Sequence, residues 1–468
     1  MNVQIKDQET YRDKIATVDE QGKRVWIYPK KPDGPLTRAR EIVAVFLLLF
    51  LFSAPFVRIN HLPLLQFDIL NRKFIIFGLI FWPQDFYLFV LATISLVVFI
   101  ILFTVALGRL WCGWACPQTI FMEMVFRKIE YWIEGDARRQ IALAKAPWTA
   151  RKLFKKSLKH SLFFALSFLI GNTFLAYIIG SDTLFRIITD PLSEHIAGFS
   201  AMLLFSTVFY GVFAFFREQV CTMVCPYGRL QGVLLDQNSI VVAYDFKRGE
   251  PRGRFRRQED RRALGDCVEC HQCVEVCPTG IDIRNGTQLE CINCTACIDA
   301  CNAVMKKLGW PKGLIRYASY LGIKEGKKLR FSPRIAGYSV ILSLLLIVTA
   351  YLLFSRADIE TTVLRTPGLL YQETDDQHIS NLYNIKIINK TQSEIPIEIK
   401  LKSPEGRIKM IGGSLHVPGN QLVETSFFIE LPEKNIKFSY IPVYLEIFSD
   451  NHLLEEIRTS FIGPETKK

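Results

Sequence analysis

Residues 302 to 468 contain no cysteine, although the 468-residue chain has twelve; all twelve fall in four tight groups between Cys112 and Cys301. A disulfide framework spreads its cysteines through a small secreted domain, so this grouping points to metal ligation in a reducing compartment. The first forty residues have no apolar core, and no cleavable signal peptide is expected there. The first long apolar run is then expected to act as the insertion signal. There is also no dinucleotide-binding glycine pattern and no obvious flavin site, so an electron donor has to be external. Acidic residues are outnumbered, 45 to 57, giving a net charge of +12 that suits nucleic acid, a membrane surface or an acidic partner. The densest basic stretch is Lys247, Arg248, Arg252, Arg254, Arg256, Arg257, Arg261 and Arg262. It follows a membrane helix and carries no nucleic-acid fold motif, so contact with anionic headgroups is expected and nucleic acid is not.

What is abundant is apolar sequence: half the residues are hydrophobic, and mean hydropathy is +0.19 despite 22% charged residues. The apolar residues must therefore come in blocks. Five runs can cross a hydrocarbon core of about 30 Å, at about 41–57, 85–108, 161–180, 199–216 and 335–354. Phe74 to Trp82 is apolar but too short, contains Gly78 and meets Pro83, so it is expected at the interface. Lys and Arg number nine in 1–40, three in 58–83, eleven in 108–160 and one in 180–198. By the positive-inside rule this alternation puts the N-terminus and residues 217–333 in the cytoplasm, and everything after about 355 outside. That outer tail reads as β-structure, with runs Tyr383 to Ile388, Ile395 to Leu401, Thr425 to Leu431 and Tyr440 to Phe448. Turn signals at Ser403-Pro404-Glu405-Gly406 and Val417-Pro418-Gly419-Asn420 suit an immunoglobulin-like antiparallel sandwich with a docking role.

Two of the four cysteine groups have one grammar. Cys267, Cys270, Cys273 and Cys277-Pro278 are followed by Cys291, Cys294, Cys297 and Cys301, each group spaced by two, two and three residues. Three thiolates in a tight loop cover three corners of an iron-sulfur cube, and the fourth ligand comes from the other group. Cluster one is thus expected on Cys267, Cys270, Cys273 and Cys301, and cluster two on Cys291, Cys294, Cys297 and Cys277. Paired zinc sites are the competing reading, but zinc has no need of three cysteines in series. Asn302 follows Cys301 where a proline is usual, which touches the loop and removes no ligand. His271 is expected to neighbour a cluster rather than ligate it, and His61, His160 and His195 are given no role.

The remaining cysteines form an internal repeat, Cys112-Gly113-Trp114-Ala115-Cys116-Pro117 and Cys221-Thr222-Met223-Val224-Cys225-Pro226. A spacing of four places both sulfurs on one helix face, and the proline should kink or end the helix. Two such ends at the inner membrane surface could gather Cys112, Cys116, Cys221 and Cys225 into a soft site for copper(I), iron-sulfur or zinc. Ordinary burial of cysteine is the alternative. Met122, Met124 and Met223 are candidate thioethers and more simply core filler; Glu123 and Glu218 could bind metal, relay protons or anchor the interface.

Phe77-Gly78, Trp82 to Phe86, Gly108 to Thr119, Cys221 to Tyr227 and the paired cluster motif together resemble the CcoG/FixG/RdxA family of cytochrome c oxidase accessory proteins. The resemblance covers most of the chain. It implies a multi-domain, multi-pass protein of the bacterial inner membrane. Its parts would be an N-terminal segment at 1–40 and a helical region with both thiol motifs at 41–235. A ferredoxin insert at 236–333, a fifth helix at 334–355 and an immunoglobulin-like β-domain at 356–468 would follow. It also implies two 4Fe-4S clusters, copper as a further metal, and assembly of cbb-type oxidase through reduction of copper(II). Copper-handling factors or oxidase subunits would be the partners, and the four membrane-edge cysteines would be catalytic. A quinol-oxidising electron-transfer subunit and a non-enzymatic assembly scaffold are the other two readings.

Overall fold

The computed structural model describes residues 17–19, 21–69, 72–254, 264–326, 333–368, 370–374, 377–391, 393–413, 415–436, 438–450 and 452–464. Arg256, Arg257, Arg261 and Arg262 of the basic stretch lie outside the described residues, as do Lys6, Arg12 and Lys14. The chain divides into two compact units, Met1–Thr349 and Ala350–Lys468.

Among the described residues of the chain, four helices are long and apolar enough to cross a membrane: Pro83–Leu107, Ala150–Ile179, Ile196–Phe216 and Pro333–Phe354. The regular α-helical parts are α2 (Phe86–Leu107), α4 (Ala150–Ile179), α5 (Ile196–Gly211) and α8 (Pro333–Phe354). The run expected at about 41–57 forms α1, Pro35–Ser53, which opens with Arg38, Arg40 and Glu41 and so is only partly apolar. Its first turn is held by polar bonds, because Asp299 accepts from the Thr37 backbone N–H and hydroxyl at 2.7 and 2.8 Å. Beyond that turn Ile42, Val45, Phe46 and Leu49 point outward along one face, in positions suited to lipid. Phe74 to Trp82 is not helical: Leu65–Asp68 (β1), Lys73–Ile76 (β2) and Leu79–Phe81 (β3) pair into a small antiparallel sheet ahead of α2.

The spans pack through aromatic rings. Phe126 stacks on Phe213 at 4.7 Å and meets Phe163 edge-on at 4.8 Å, joining α4 to the chain around both thiol motifs. The ferredoxin insert is closed by strands Val241–Tyr244 (β4) and Ile315–Ala318 (β5), paired antiparallel. Its last cysteine lies on α7, Ala296–Lys307.

In the second unit the β-strands run β6 (Ile359–Arg365), β7 (Gln372–Thr374), β8 (His378–Asn389), β9 (Ile395–Ser403) and β10 (Arg407–Met410). They continue with β11 (Leu415–Val417), β12 (Leu422–Pro432), β13 (Tyr440–Ser449) and β14 (His452–Ile462). One sheet has the order β10-β12-β8-β6 with β7 beside β8, and the other β11-β9-β13-β14. Alternation along the strands buries Ile385, Ile387, Phe427, Ile429, Val443, Leu445 and Ile447 between the sheets, each at most 1% exposed. The four expected strands are present, each longer than expected, from one added residue in Tyr440–Ser449 to six in His378–Asn389.

Candidate functional site

Two hollows sit in the ferredoxin insert. One is lined by Cys267, Cys270, Cys273 and Cys301, the other by Cys277, Cys291, Cys294 and Cys297 with Cys273 at its edge. They offer about 360 and 350 Å³ of open space, mouths included. Cys301 thus lines the hollow of the first group, and Cys277 that of the second. Glu269 and His271 in the first loop, and Asn293 and Thr295 in the second, all have φ between 52 and 64°. Non-glycine residues rarely accept this left-handed backbone. Its recurrence at the same two loop positions curls each backbone around a central volume. A zinc tetrahedron with Zn–S near 2.3 Å needs sulfurs about 3.8 Å apart. Among the described residues no three cysteine sulfurs lie within 4.8 Å of one another. The cluster cysteines therefore offer no ready-made tetrahedron for a zinc ion.

Burial raises three of the thiols that line these hollows, Cys273 and Cys301 to about 12 and Cys297 well above its ordinary value. Ligation must therefore displace protons from them. The expectation that the chain lacks a haem-attachment Cys-x-x-Cys-His is corrected by Cys267-Val268-Glu269-Cys270-His271, which spells that pattern. The structure uses it otherwise, because His271 Nδ1 bonds Arg284 at 3.0 Å while both cysteines face the first hollow. Crossing has a direct test. Cys277→Ser should perturb the EPR signal of the cluster held by Cys291, Cys294 and Cys297, and Cys301→Ser that of the first group. The reverse assignment, each change acting within its own sequence group, would exclude crossed ligation.

The membrane-edge motifs depart from the expected helix. α2 stops at Gly108 (φ 56°), and a short helix, Leu110–Trp114 (α3), carries Cys112. Cys116 is extended (φ −62°, ψ 124°), as is Cys225 (φ −69°, ψ 110°), because a following proline excludes the helical region for the residue before it. Pro117 and Pro226 do not simply end helices; each opens a new one, with Pro226–Leu234 (α6) the longer. Ile120–Phe126, Val212–Phe216 and Val220–Val224 are π-helical turns, which re-aim side chains and favour functional sites. The reading of both sulfurs on one helix face is corrected accordingly.

Cross-links then bring the two motifs together. Arg109, 5% exposed, donates both to the Gly228 carbonyl on α6 and to the Leu289 carbonyl before the second cluster loop. The Cys112 thiol donates to Gln231 Oε1 at 3.1 Å, and Gln231 is fully buried. Two of the thiols are shifted: Cys112 is pushed up to about 12 by burial, then by Cys116, with Cys225 adding to it. Cys221 is likewise raised to about 12 by burial, then by Cys116, Cys112 and Cys225. Gln231, Arg109 and Gly113 were given no role by sequence reading, since only the fold shows what they touch.

The motif also rests on the second cluster loop. A Cβ on Gly113 would lie 2.5 Å from the Ile292 carbonyl oxygen and 2.7 Å from that of Asn293, so only glycine admits this approach. Cys112 packs against the buried group formed by Val276, Ile292, Cys294 and Ala296. Trp114 Nε1 donates to the Tyr317 hydroxyl at 3.0 Å, which donates to the Asn293 carbonyl at 3.3 Å.

Comparison with known proteins places this arrangement. Family models match as "4Fe-4S dicluster domain" over residues 216–320, "4Fe-4S binding domain" over 89–139 and "IG-like fold at C-terminal of FixG" over 349–464. "Protein RdxA" of Cereibacter sphaeroides is 36% identical over 415 residues, 84% of this chain and 86% of that protein. The chain belongs to the FixG/RdxA family. "Nitrogen fixation protein FixG" of Rhizobium meliloti is 30% identical, covering 88% of this chain and 87% of that one. "Protein RdxB" of C. sphaeroides is 34% identical over 87% and 89%. The crystal structure of a FixG-related protein from Vibrio parahaemolyticus aligns with 24% of this chain at 15% identity and TM-score 0.21. As a FixG/RdxA protein the chain is a membrane-associated 4Fe-4S electron-transfer protein, with an immunoglobulin-like C-terminal domain.

The other singled-out residues are placed as follows. His160 Nδ1 pairs with the Tyr210 hydroxyl at 2.9 Å, and His61 is exposed. His195 meets Asp190 at 3.1 Å and, with Glu194, forms an open surface trio. Met122 is buried among Phe121 and Phe126, and Met223 is exposed.

Proposed function

We propose that this protein reduces copper(II) to copper(I) at the Cys112, Cys116, Cys221 and Cys225 site, for delivery to a cbb-type oxidase in the bacterial inner membrane. The observation that carries the reading is the backbone approach at Gly113, which sets the first thiol motif against the second cluster loop. When bound, the two clusters supply one-electron storage and transfer. Cys270 is the one exposed cysteine among the described residues, so the first hollow is where an external donor can reach. The second hollow, at the other end of the pair, abuts the membrane-edge thiols. Copper(II) as substrate gains one electron there, and soft thiolates hold the resulting copper(I) more tightly than the oxidised ion. The thiols that burial keeps protonated release protons as the metal binds.

The positive-inside count puts the cluster insert in the cytosol and the β-domain outside. That topology uses α1 as a fifth crossing, with its opening turn docked on the cluster insert and its apolar part, from Ile42 to Ser53, entering the hydrocarbon core. The membrane-edge site would then face the cytosolic surface.

Purified protein in lipid nanodiscs, its clusters reduced by dithionite, should reoxidise on adding copper(II) and yield stoichiometric copper(I), read with a copper(I) chelator. Oxidation of a quinol analogue without copper turnover would replace this reading with the electron-transfer-subunit one. Inertness towards both would leave a scaffold.

A further inference from the structure

Among the described residues that line the first hollow, Arg284 carries the only permanent charge, alongside Cys267, Cys270, Cys273 and Cys301. It sits in the short turn Ile283–Asn285, which Asp282 caps, and its side chain is 5% exposed. The Asp282 carboxylate accepts from Nε at 2.8 Å and from Nη2 at 2.6 Å, and Nη2 also donates to His271 Nδ1 at 3.0 Å. Those bonds leave out Nη1, which is buried with no acceptor in the protein. A buried cationic donor in that condition costs free energy until an acceptor meets it.

The guanidinium acts on the cysteines of this hollow. Burial pushes the Cys273 thiol up, and the foremost charge on it is Arg284, which pulls it back down, ahead of Asp282, which raises it. Cys273 and Cys267 in turn add to the bonds from Asp282 that hold Arg284 in its charged form. At Cys273 the cation is thus felt more strongly than the carboxylate that balances it.

We infer that Arg284 sets the reduction potential of the first cluster, by holding a positive charge and the free Nη1 donor against its sulfurs. Reduction adds one negative charge there, so a fixed cation alongside stabilises the reduced form and raises the potential. Burial keeps that charge poorly screened by salt. No charged side chain lines the second hollow among the described residues. Arg109 and Arg40 act on Cys291 and Cys294, but neither belongs to that lining. Cys270 is exposed, so the cluster that Arg284 makes easier to reduce is the one an external donor meets. The inference rests on assigning the first cluster to Cys267, Cys270, Cys273 and Cys301, and it is independent of copper.

Redox titration of the full-length protein, followed by EPR with iron content as the control, reads the effect. The first cluster's signal is the one that Cys301→Ser perturbs. Arg284→Gln should lower its potential enough to shift the reduced-to-oxidised ratio about tenfold, or 59 mV for one electron, while the second signal keeps its midpoint. Arg284→Lys, which keeps the charge, should move it less than Arg284→Gln does. Loosened packing would admit water and favour the more negative, reduced form, so damage to the loop cannot imitate the fall. Equal falls in the lysine and glutamine variants would assign the effect to shape and overturn the inference. If Arg284→Gln loses iron, Asp282→Asn decides: removing the balancing carboxylate should raise the first potential, and a fall or no change overturns the inference. The ligand assignment fails separately. A signal lowered by Arg284→Gln but untouched by Cys301→Ser removes crossed ligation and leaves Arg284 its role beside Cys267 and Cys273. With iron intact, no fall in either signal overturns the inference whatever the assignment.

Discussion

Cys112→Ser and Cys221→Ser should each lower the rate of copper(II) reduction at least about a hundredfold, equivalent to about 2.7 kcal/mol, while both 4Fe-4S EPR signals persist. The expectation follows from where the sulfurs sit. Cys112 belongs to one motif and Cys221 to the other, yet burial together with the neighbouring thiols raises both to about 12. A serine hydroxyl is no soft ligand, so either change removes a soft sulfur from the proposed copper(I) site. Neither residue is among the four cysteines of either cluster hollow, although Cys112 packs against the second loop. Undiminished copper reduction in both variants would move catalysis away from the membrane edge. Loss of a cluster signal in Cys221→Ser would instead make that cysteine a structural support of the insert.

Gly113→Ala should break the connection between the two systems. In a helix, glycine to alanine ordinarily gains about 0.5 to 1 kcal/mol. Here the added carbon would lie 2.5 and 2.7 Å from two backbone oxygens of the loop that carries Cys291 and Cys294. Overpacking costs about 1 to 3 kcal/mol, and backbone cannot swing aside as a side-chain tip can. The clash wins over the propensity. The loop should be displaced, lowering bound iron by up to about half if the second cluster is lost. Iron quantification with EPR of the reduced variant checks this, and full iron with unaltered copper reduction would show that the contact is not needed.

The ferredoxin cysteines were legible because cluster binding is written at short range. Spacings of two, two and three residues fix which thiolates one loop can present, and crossing to the other hollow completes each set. The β-strands were legible from period-two alternation, and the long spans from length and hydropathy. Helix geometry at Cys116 and Cys225 was only half legible: proline announces a break, but not that the next residues start afresh as helix. The π-helical turns leave no mark in residue periodicity over such short runs. α1 looked like a simple span because its apolar run is continuous, while its polar opening turn is explained by partners far along the chain: Asp299 accepts from Thr37, the Gly113 carbonyl accepts from Arg40, and Lys128 pairs with Glu41.

By itself the sequence determined a membrane-bound, two-cluster iron-sulfur protein with a β-sandwich tail, because ligand spacing, hydropathy and strand alternation are all local properties. Only the tertiary structure decided that Gly113 touches the second cluster loop, that Arg109 and Gln231 join the two thiol motifs, and that Arg24 reaches Glu218. Those contacts link residues roughly a hundred or more positions apart. Each depends on a small side chain admitting close approach or a buried polar atom needing a partner, and neither need is visible until the chain has packed.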